Sequence, residues 1–227
     1  MGGVAASVQS VSDVSPRLVT LEFEDTTDHL WPALYRAGRP VQYSHLAGQL
    51  ALWDVQTAFG GRPWSVETPS AARPLGWDTL TRLRARGIAV ATVTHAAGLS
   101  ATGDLAIDRA LPLPERSEVP EATVQAVREA KRVIGIGTST VRALEANAAQ
   151  FGELRAACIT SKLRIDARHE RKVVDGILTG MHEAGTSHFD LLRAFAPRTL
   201  LSLAWSHAED EGYLAEEFGD AMLILNY

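Results

Sequence analysis

The chain has 227 residues, 46% hydrophobic and 22% charged. That is close to an ordinary globular balance and excludes collagen-like, coiled-coil and extensively disordered architectures. Its 22 basic and 27 acidic residues leave a net charge of −5, so any nucleic-acid partner must be held by a local basic patch and not by the global field.

One cysteine, Cys158, excludes an internal disulfide framework and a thiolate zinc cluster, and suits a reducing cytoplasm. No run approaches the ~18 apolar residues of a membrane-spanning helix. The first fifteen residues carry no basic n-region and read as a loose leader or the ragged edge of a shortened chain. The expected localisation is cytoplasmic.

Residues 17–24 alternate, with Val19, Leu21 and Phe23 on one face, which predicts a half-buried strand. A short helix follows at 30–37, with Asp28 available as its N-cap and Gly38 at its end. Residues 39–76 are rich in Gly, Pro and aromatics and predict irregular structure with short strands such as 53–58. A helix at 77–86 leads into a β-branched, apolar strand at 88–94. Residues 111–120 read as an extended Pro-rich link, and Pro120 opens a helix to about residue 130.

A short strand at 133–137 runs directly into a helix from Ser139 to about residue 149. Strands are predicted at 159–165 and 172–179, helices at 189–195 and 200–211, and a closing apolar strand at 221–225. Such alternation predicts an α/β core with a mostly parallel sheet flanked by helices.

Three local patterns could carry chemistry. At 133–142 a strand ends in Gly137, the hydroxyl residues Thr138, Ser139 and Thr140 follow, a helix begins, and Arg142 lies one turn in. Unpaired N–H groups and the dipole of a helix N-terminus suit an anionic ligand. The plainer explanation is that Thr138 or Ser139 caps the helix.

The second pattern, 180–188, gathers His182, Glu183, Thr186, Ser187 and His188 between a strand and a helix, where open α/β sheets collect ligands. His182 or Glu183 could move protons, and Thr186 or Ser187 could bind an anion. A metal is not expected, because His-x5-His lacks a third ligand and a recognised spacing. The plain alternative is a helix capped by Ser187 with surface histidines. Third, Asp220 precedes the last strand in an acidic run, which is usually a solvated face, but could aim one carboxylate at the site. The densest basic stretch holds Lys162, Arg164, Arg168, Arg171 and Lys172, and Arg82 and Arg86 share one helical face; either group could contact RNA phosphates, although scattered surface arginines are the plainer explanation.

These strings, together with Pro69-Ser70-Ala71-Ala72, 80–94 and 217–225, lie in one order over about residues 40–225. In that order they resemble the S-adenosylmethionine:tRNA ribosyltransferase-isomerase family. Residues 131–146 resemble its Gly-Thr-Thr-Ser/Val-Val-Arg-Ala/Thr-Leu-Glu segment. Residues 173–188 resemble its Val-Val-Asp-x-Leu-Ile/Leu-Thr segment and the histidine loop after it, in a form closest to a paralogous branch.

The resemblance implies late queuosine synthesis. The ribosyl group of S-adenosylmethionine is transferred and isomerised onto a 7-aminomethyl-7-deazaguanine base in the tRNA anticodon, epoxyqueuosine forms, and adenine and methionine leave. S-adenosylmethionine is then a co-substrate, no cofactor is permanently bound, and the anticodon stem-loop is the partner. Catalytic work falls to His182, Glu183 and His188. Substrate contacts fall to Gly137, Thr138, Ser139, Arg142, Thr186, Ser187 and Asp220.

The resemblance also implies a domain plan: a leader at 1–15, a β-barrel remnant at 16–45 and the α/β core at 46–227. Three departures stand against it. Arg73-Pro74 replaces a family Leu-His, His95 is displaced by one position from a family histidine, and Pro112-Leu113-Pro114-Glu115-Arg116 stands where the family has His-x-Met-His-Ser-Glu. They predict an impaired transferase or a repurposed paralogue that binds a nucleotide or RNA.

Overall fold

The computed structural model describes residues 4–42, 45–99, 102–215 and 217–225; Glu216 of the acidic run and Tyr43 lie outside them. The chain divides into two compact units, 1–55 with 99–111, and 56–98 with 112–227. The expected boundary at residue 45 and this division therefore run along different lines.

In the first unit, β1 (Ala6–Val11) and β2 (Val19–Phe23) form a two-stranded antiparallel sheet. The expected loose leader is thus corrected, because residues 6–11 pair with 19–23. Val8, Val11, Val19 and Leu21 are all exposed, so β2 is not the half-buried strand its alternation predicts. Two strands alone have no second layer to cover a face. Helices α1 (Thr27–Ala37), α2 (Leu52–Val55) and α4 (Leu105–Ala110) complete the unit. The strand predicted at 53–58 is replaced at its start by α2. Asp104 caps α4 by accepting from the Ala106 and Ile107 N–H groups.

The second unit is mixed α/β. After a 3-10 turn at Ser70–Ala72 come α3 (Trp77–Ala85), β3 (Thr94–His95), β4 (Glu115–Val119), α5 (Glu121–Glu129), β5 (Ile134–Ile136), α6 (Thr138–Phe151), β6 (Ala157–Ser161), β7 (Gly176–Gly180), α7 (Ser187–Leu192), α8 (Arg198–Asp210) and β8 (Ala221–Leu225). The expected mostly parallel sheet is corrected. One sheet, β3-β4-β6, is wholly antiparallel. In the other, β5-β7-β8, β5 runs parallel to β7 and β8 antiparallel to it.

Helix–strand alternation implies a parallel sheet only if successive strands enter one sheet. Here β4 and β6 enter one sheet while β5 and β7 enter the other. The stretch predicted as one strand at 88–94 joins a ladder only at its end, and Ile88 is half exposed. The stretch predicted as a link at 111–120 contains β4, the central strand of its sheet. The expectation that 133–137 and 221–225 share a sheet holds, although in β8 only Ile224 is buried.

Helix α6 organises this unit. Val141 and Leu144 join the core with Ile177, Leu192 and Ile224. Its fully buried Glu145 accepts from three successive backbone N–H groups, Lys172 (2.8 Å), Val173 (3.0 Å) and Val174 (3.0 Å), and contacts His169 Nε2 at 3.2 Å. One carboxylate thereby fixes the chain entering β7. Asn147 clamps Arg155 before β6 by donating to its carbonyl and accepting from its N–H.

Glu145→Ala strands these three donors in the interior. An unsatisfied buried donor costs about 1–3 kcal/mol, so the loss expected in urea unfolding is about 3–5 kcal/mol. A loss below about 1 kcal/mol would contradict this role.

Candidate active site

The turn between β5 and α6 is shaped by Gly137, whose φ of +85° is left-handed and accessible at little cost only to glycine. An added Cβ there would also come within 3.2 Å of Ala71 Cβ in the 3-10 turn. Gly137 is the N-cap and supplies no side-chain acceptor. The capping role considered for Thr138 or Ser139 is therefore not taken up, while Thr140 Oγ1 donates to the Ile136 carbonyl at 2.7 Å. Thr138 is buried and Ser139 half-buried.

Arg142, one turn into α6, reaches Glu115 on β4 and forms a short ion pair with it. Their side chains are only 12% and 7% exposed. Glu115 points inward because β4 alternates, with Glu115, Ser117 and Val119 buried and Arg116 exposed. Its carboxylate also meets His95 Nε2 at 2.9 Å and accepts the Gly98 N–H at 2.8 Å. Burial alone would raise the Glu115 pKa; the His95 hydrogen bond, the Arg142 charge and the Gly98 N–H outweigh it and hold the carboxyl below its usual range. Arg142 Nε and His95 Nδ1 are buried without a hydrogen-bond partner.

The loop after β7 reaches the same cluster. His182 Nε2 lies 2.9 Å from Thr179 Oγ1, and its ring centroid is 4.8 Å from that of His188, with the rings tilted by 40°. Burial, then the neighbouring His188, pushes the His182 pKa down to about 3. Burial and then the Arg142 charge push His188 down to about 4, against an upward pull from Glu115. At neutral pH both imidazoles are uncharged, a state that accepts a proton through a bare ring nitrogen. Arg142 of the first sequence-predicted string and His188 of the second thus lie near one buried charge pair.

The remaining candidates divide. Thr186, not Ser187, caps α7 by accepting the Phe189 N–H at 3.1 Å, and donates to the Glu183 carbonyl at 2.8 Å. Glu183 is exposed and Ser187 half-buried. Asp220 is exposed, and its carboxylate accepts the Leu214 N–H at 2.8 Å, an interaction that closes its own loop. Among the described residues no group of three or more His, Cys, Asp or Glu is placed to hold a metal ion. No helix among them is long and apolar enough to cross a membrane.

Glu115 and Thr179 are absent from the sequence-based site, and His95 enters it only as a displaced histidine. The signal for Glu115 is the two-residue alternation with Ser117 and Val119, masked by the flanking prolines.

The depressed histidines set a pH dependence of stability. Both rings bind protons more readily when unfolded, so their contribution is complete above about pH 6.5 and is lost as pH falls towards 4. Each adds a slope of up to about 1.4 kcal/mol per pH unit in that window. His182→Gln with His188→Gln should flatten the fall in unfolding free energy between pH 6.5 and 4. An unchanged slope would contradict the neutral-pair assignment.

A family model described as "Queuosine biosynthesis protein" matches residues 4–224. An S-adenosylmethionine:tRNA ribosyltransferase-isomerase of Sorangium cellulosum (strain So ce56) is 37% identical over 149 residues, 62% of this chain and 40% of that protein. One from Thermosynechococcus vestitus is 40% identical over 112 residues, 48% of this chain and 31% of the relative. The chain thus spans well under half the length of these curated relatives.

The crystal structure of S-adenosylmethionine tRNA ribosyltransferase from Thermotoga maritima superposes with a TM-score of 0.57 at 29% identity. The match covers 68% of this chain and 51% of that one. With a family match running through both units and a fold shared with a solved member, this chain belongs to the queuosine biosynthesis protein family.

Proposed function

We propose that this chain carries the ribosyl-transfer site of an S-adenosylmethionine:tRNA ribosyltransferase-isomerase. It acts on tRNA in the cytoplasm, with S-adenosylmethionine as co-substrate and no permanently bound cofactor. The observation that carries this reading is the meeting of the first turn of α6 with the His182–His188 loop around Glu115.

The reaction implied by the family requires removal of a proton next to the sulfonium, delivery of a proton to departing adenine, and an amine nucleophile from the RNA. A neutral His188, within the influence of the Arg142–Glu115 pair, suits the first task, since a base must be unprotonated at working pH. His182, held by Thr179, is placed to exchange that proton with His188, and the exposed Glu183 can return one to solvent or to the leaving base. The N–H groups of Thr138 and Ser139 at the start of α6 suit the carboxylate of the methionine moiety, beside Gly137, whose own N–H donates to the Leu178 carbonyl at 2.8 Å. Thr186 and Ser187, at the start of α7, are further candidates for substrate contact.

Arg142 works as an orienting group, because its guanidinium is already bound to Glu115. Asp220 is assigned to closing the loop before β8 through the Leu214 N–H. Only β2 of the β1–β2 ribbon falls within 16–45, the stretch proposed as a barrel remnant, with 46–227 as the core.

The test incubates the chain with S-adenosylmethionine and an anticodon stem-loop bearing the 7-aminomethyl-7-deazaguanine base, and follows adenine and methionine release. His188→Gln should slow release by roughly 10²–10⁴-fold while S-adenosylmethionine still binds. Saturable binding with no release from the unaltered chain would assign the repurposed-paralogue role, which Arg73-Pro74 in place of the family Leu-His favours. Neither binding nor release would contradict both.

A further inference from the structure

The sheet that carries Glu115 inward presents a different surface outward. Along β6 and the segment after it, Cys158, Thr160, Lys162 and Arg164 are exposed, while Ile159 and Ile165 are buried and Ser161 and Leu163 half-buried. That is the two-residue period of a strand with one solvent face. Thr160 pairs in register with Arg116 of β4, so the Arg116 side chain joins this stripe. Arg116 is held in place: its Nε lies 3.2 Å from Cys158 Sγ, and its guanidinium carbon sits 3.8 Å from the centroid of the Trp64 ring. A second guanidinium, from Arg62, lies 4.9 Å from the same ring.

The carboxylates that reach this stripe are Glu118, on Arg62, and Asp190, 3.7 Å from Arg164. Among the described residues Arg116 and Lys162 have no carboxylate within ion-pair distance. An acidic chain, net −5, therefore keeps one ordered cationic stripe built around an aromatic ring. Arginine planes and indole rings both stack on unpaired bases, and exposed Lys and Arg neutralise phosphates.

We propose that the outward face of the β3-β4-β6 sheet is an RNA-docking surface. Arg116, Lys162 and Arg164 track the phosphate backbone, and the Trp64-seated guanidiniums stack a splayed base. This rests on the tRNA reading above and adds where the RNA is held. The reacting base goes to the inward face of β4, and its flanking nucleotides go to the outward face. Three strands are only about 10 Å across, so a stem-loop can wrap the sheet edge and reach both.

The test measures fluorescence anisotropy of a labelled anticodon stem-loop with the full chain between about 50 and 200 mM salt. Arg116→Gln with Lys162→Gln should weaken binding and reduce the salt slope by roughly one per side chain removed. Trp64→Leu should weaken binding by roughly five- to hundredfold. Arg82→Gln, on α3 and outside the stripe, should leave it unchanged, and thermal unfolding confirms that each variant is folded.

Unchanged RNA affinity in the Arg116/Lys162 variant, an equal loss in Arg82→Gln, or no RNA binding by the unaltered chain would each overturn the proposal. S-adenosylmethionine binding, measured separately, should be the same in the Arg116/Lys162 variant and the unaltered chain. Unchanged RNA affinity in that variant, with S-adenosylmethionine still bound by the unaltered chain, fails this surface alone, whereas no S-adenosylmethionine binding by the unaltered chain fails the functional reading.

Discussion

The Glu115 carboxylate is taken almost wholly out of water yet stays ionised, and the site depends on how that is achieved. An uncompensated buried carboxylate costs several kcal/mol. Here His95 from β3, the Gly98 N–H from the loop after it, and Arg142 from α6 converge on its two oxygens. The pair Glu115–Arg142 ties the antiparallel sheet to the helix that follows the other sheet. Removing either partner would leave the other charged and buried, so the two sheets are held in one arrangement by the cost of separating this pair.

Helix α6 transmits that constraint. Its first turn starts at a glycine that only a left-handed φ and a close approach to Ala71 explain. Its second turn places Glu145 on three backbone N–H groups ahead of β7, and β7 delivers His182. One helix therefore fixes Arg142 directly and His182 through the strand it anchors. The charge of the Glu115–Arg142 pair then acts on His188 with opposite signs, leaving burial as the leading influence on that ring. The two imidazoles lie too close together, and too deep, for both to carry a proton at neutral pH.

Much of this was legible in the sequence. Helices at 77–85, 121–129, 138–151 and 198–210 follow from apolar spacing and terminal Gly or Pro, and the strings at 137–142 and 182–188 stand out by residue type. Sheet membership was not legible, because alternation along the chain does not state which sheet a strand enters. Glu115 was hidden because prolines at 112, 114 and 120 made a central strand look like a link. The β1 strand was hidden because its small, polar residues carry no packing signal and its pairing is long-range. Asp220 looked like a site residue for its position before β8, and the structure commits its carboxylate to a local turn.

The claim that two separate strings form one ligand site is tested most directly by nuclear magnetic resonance of the labelled chain during titration with S-adenosylmethionine. Backbone signals of 137–142 and of 182–188 are expected to shift together along a single saturation curve. Movement of one string alone, or of neither, would contradict it.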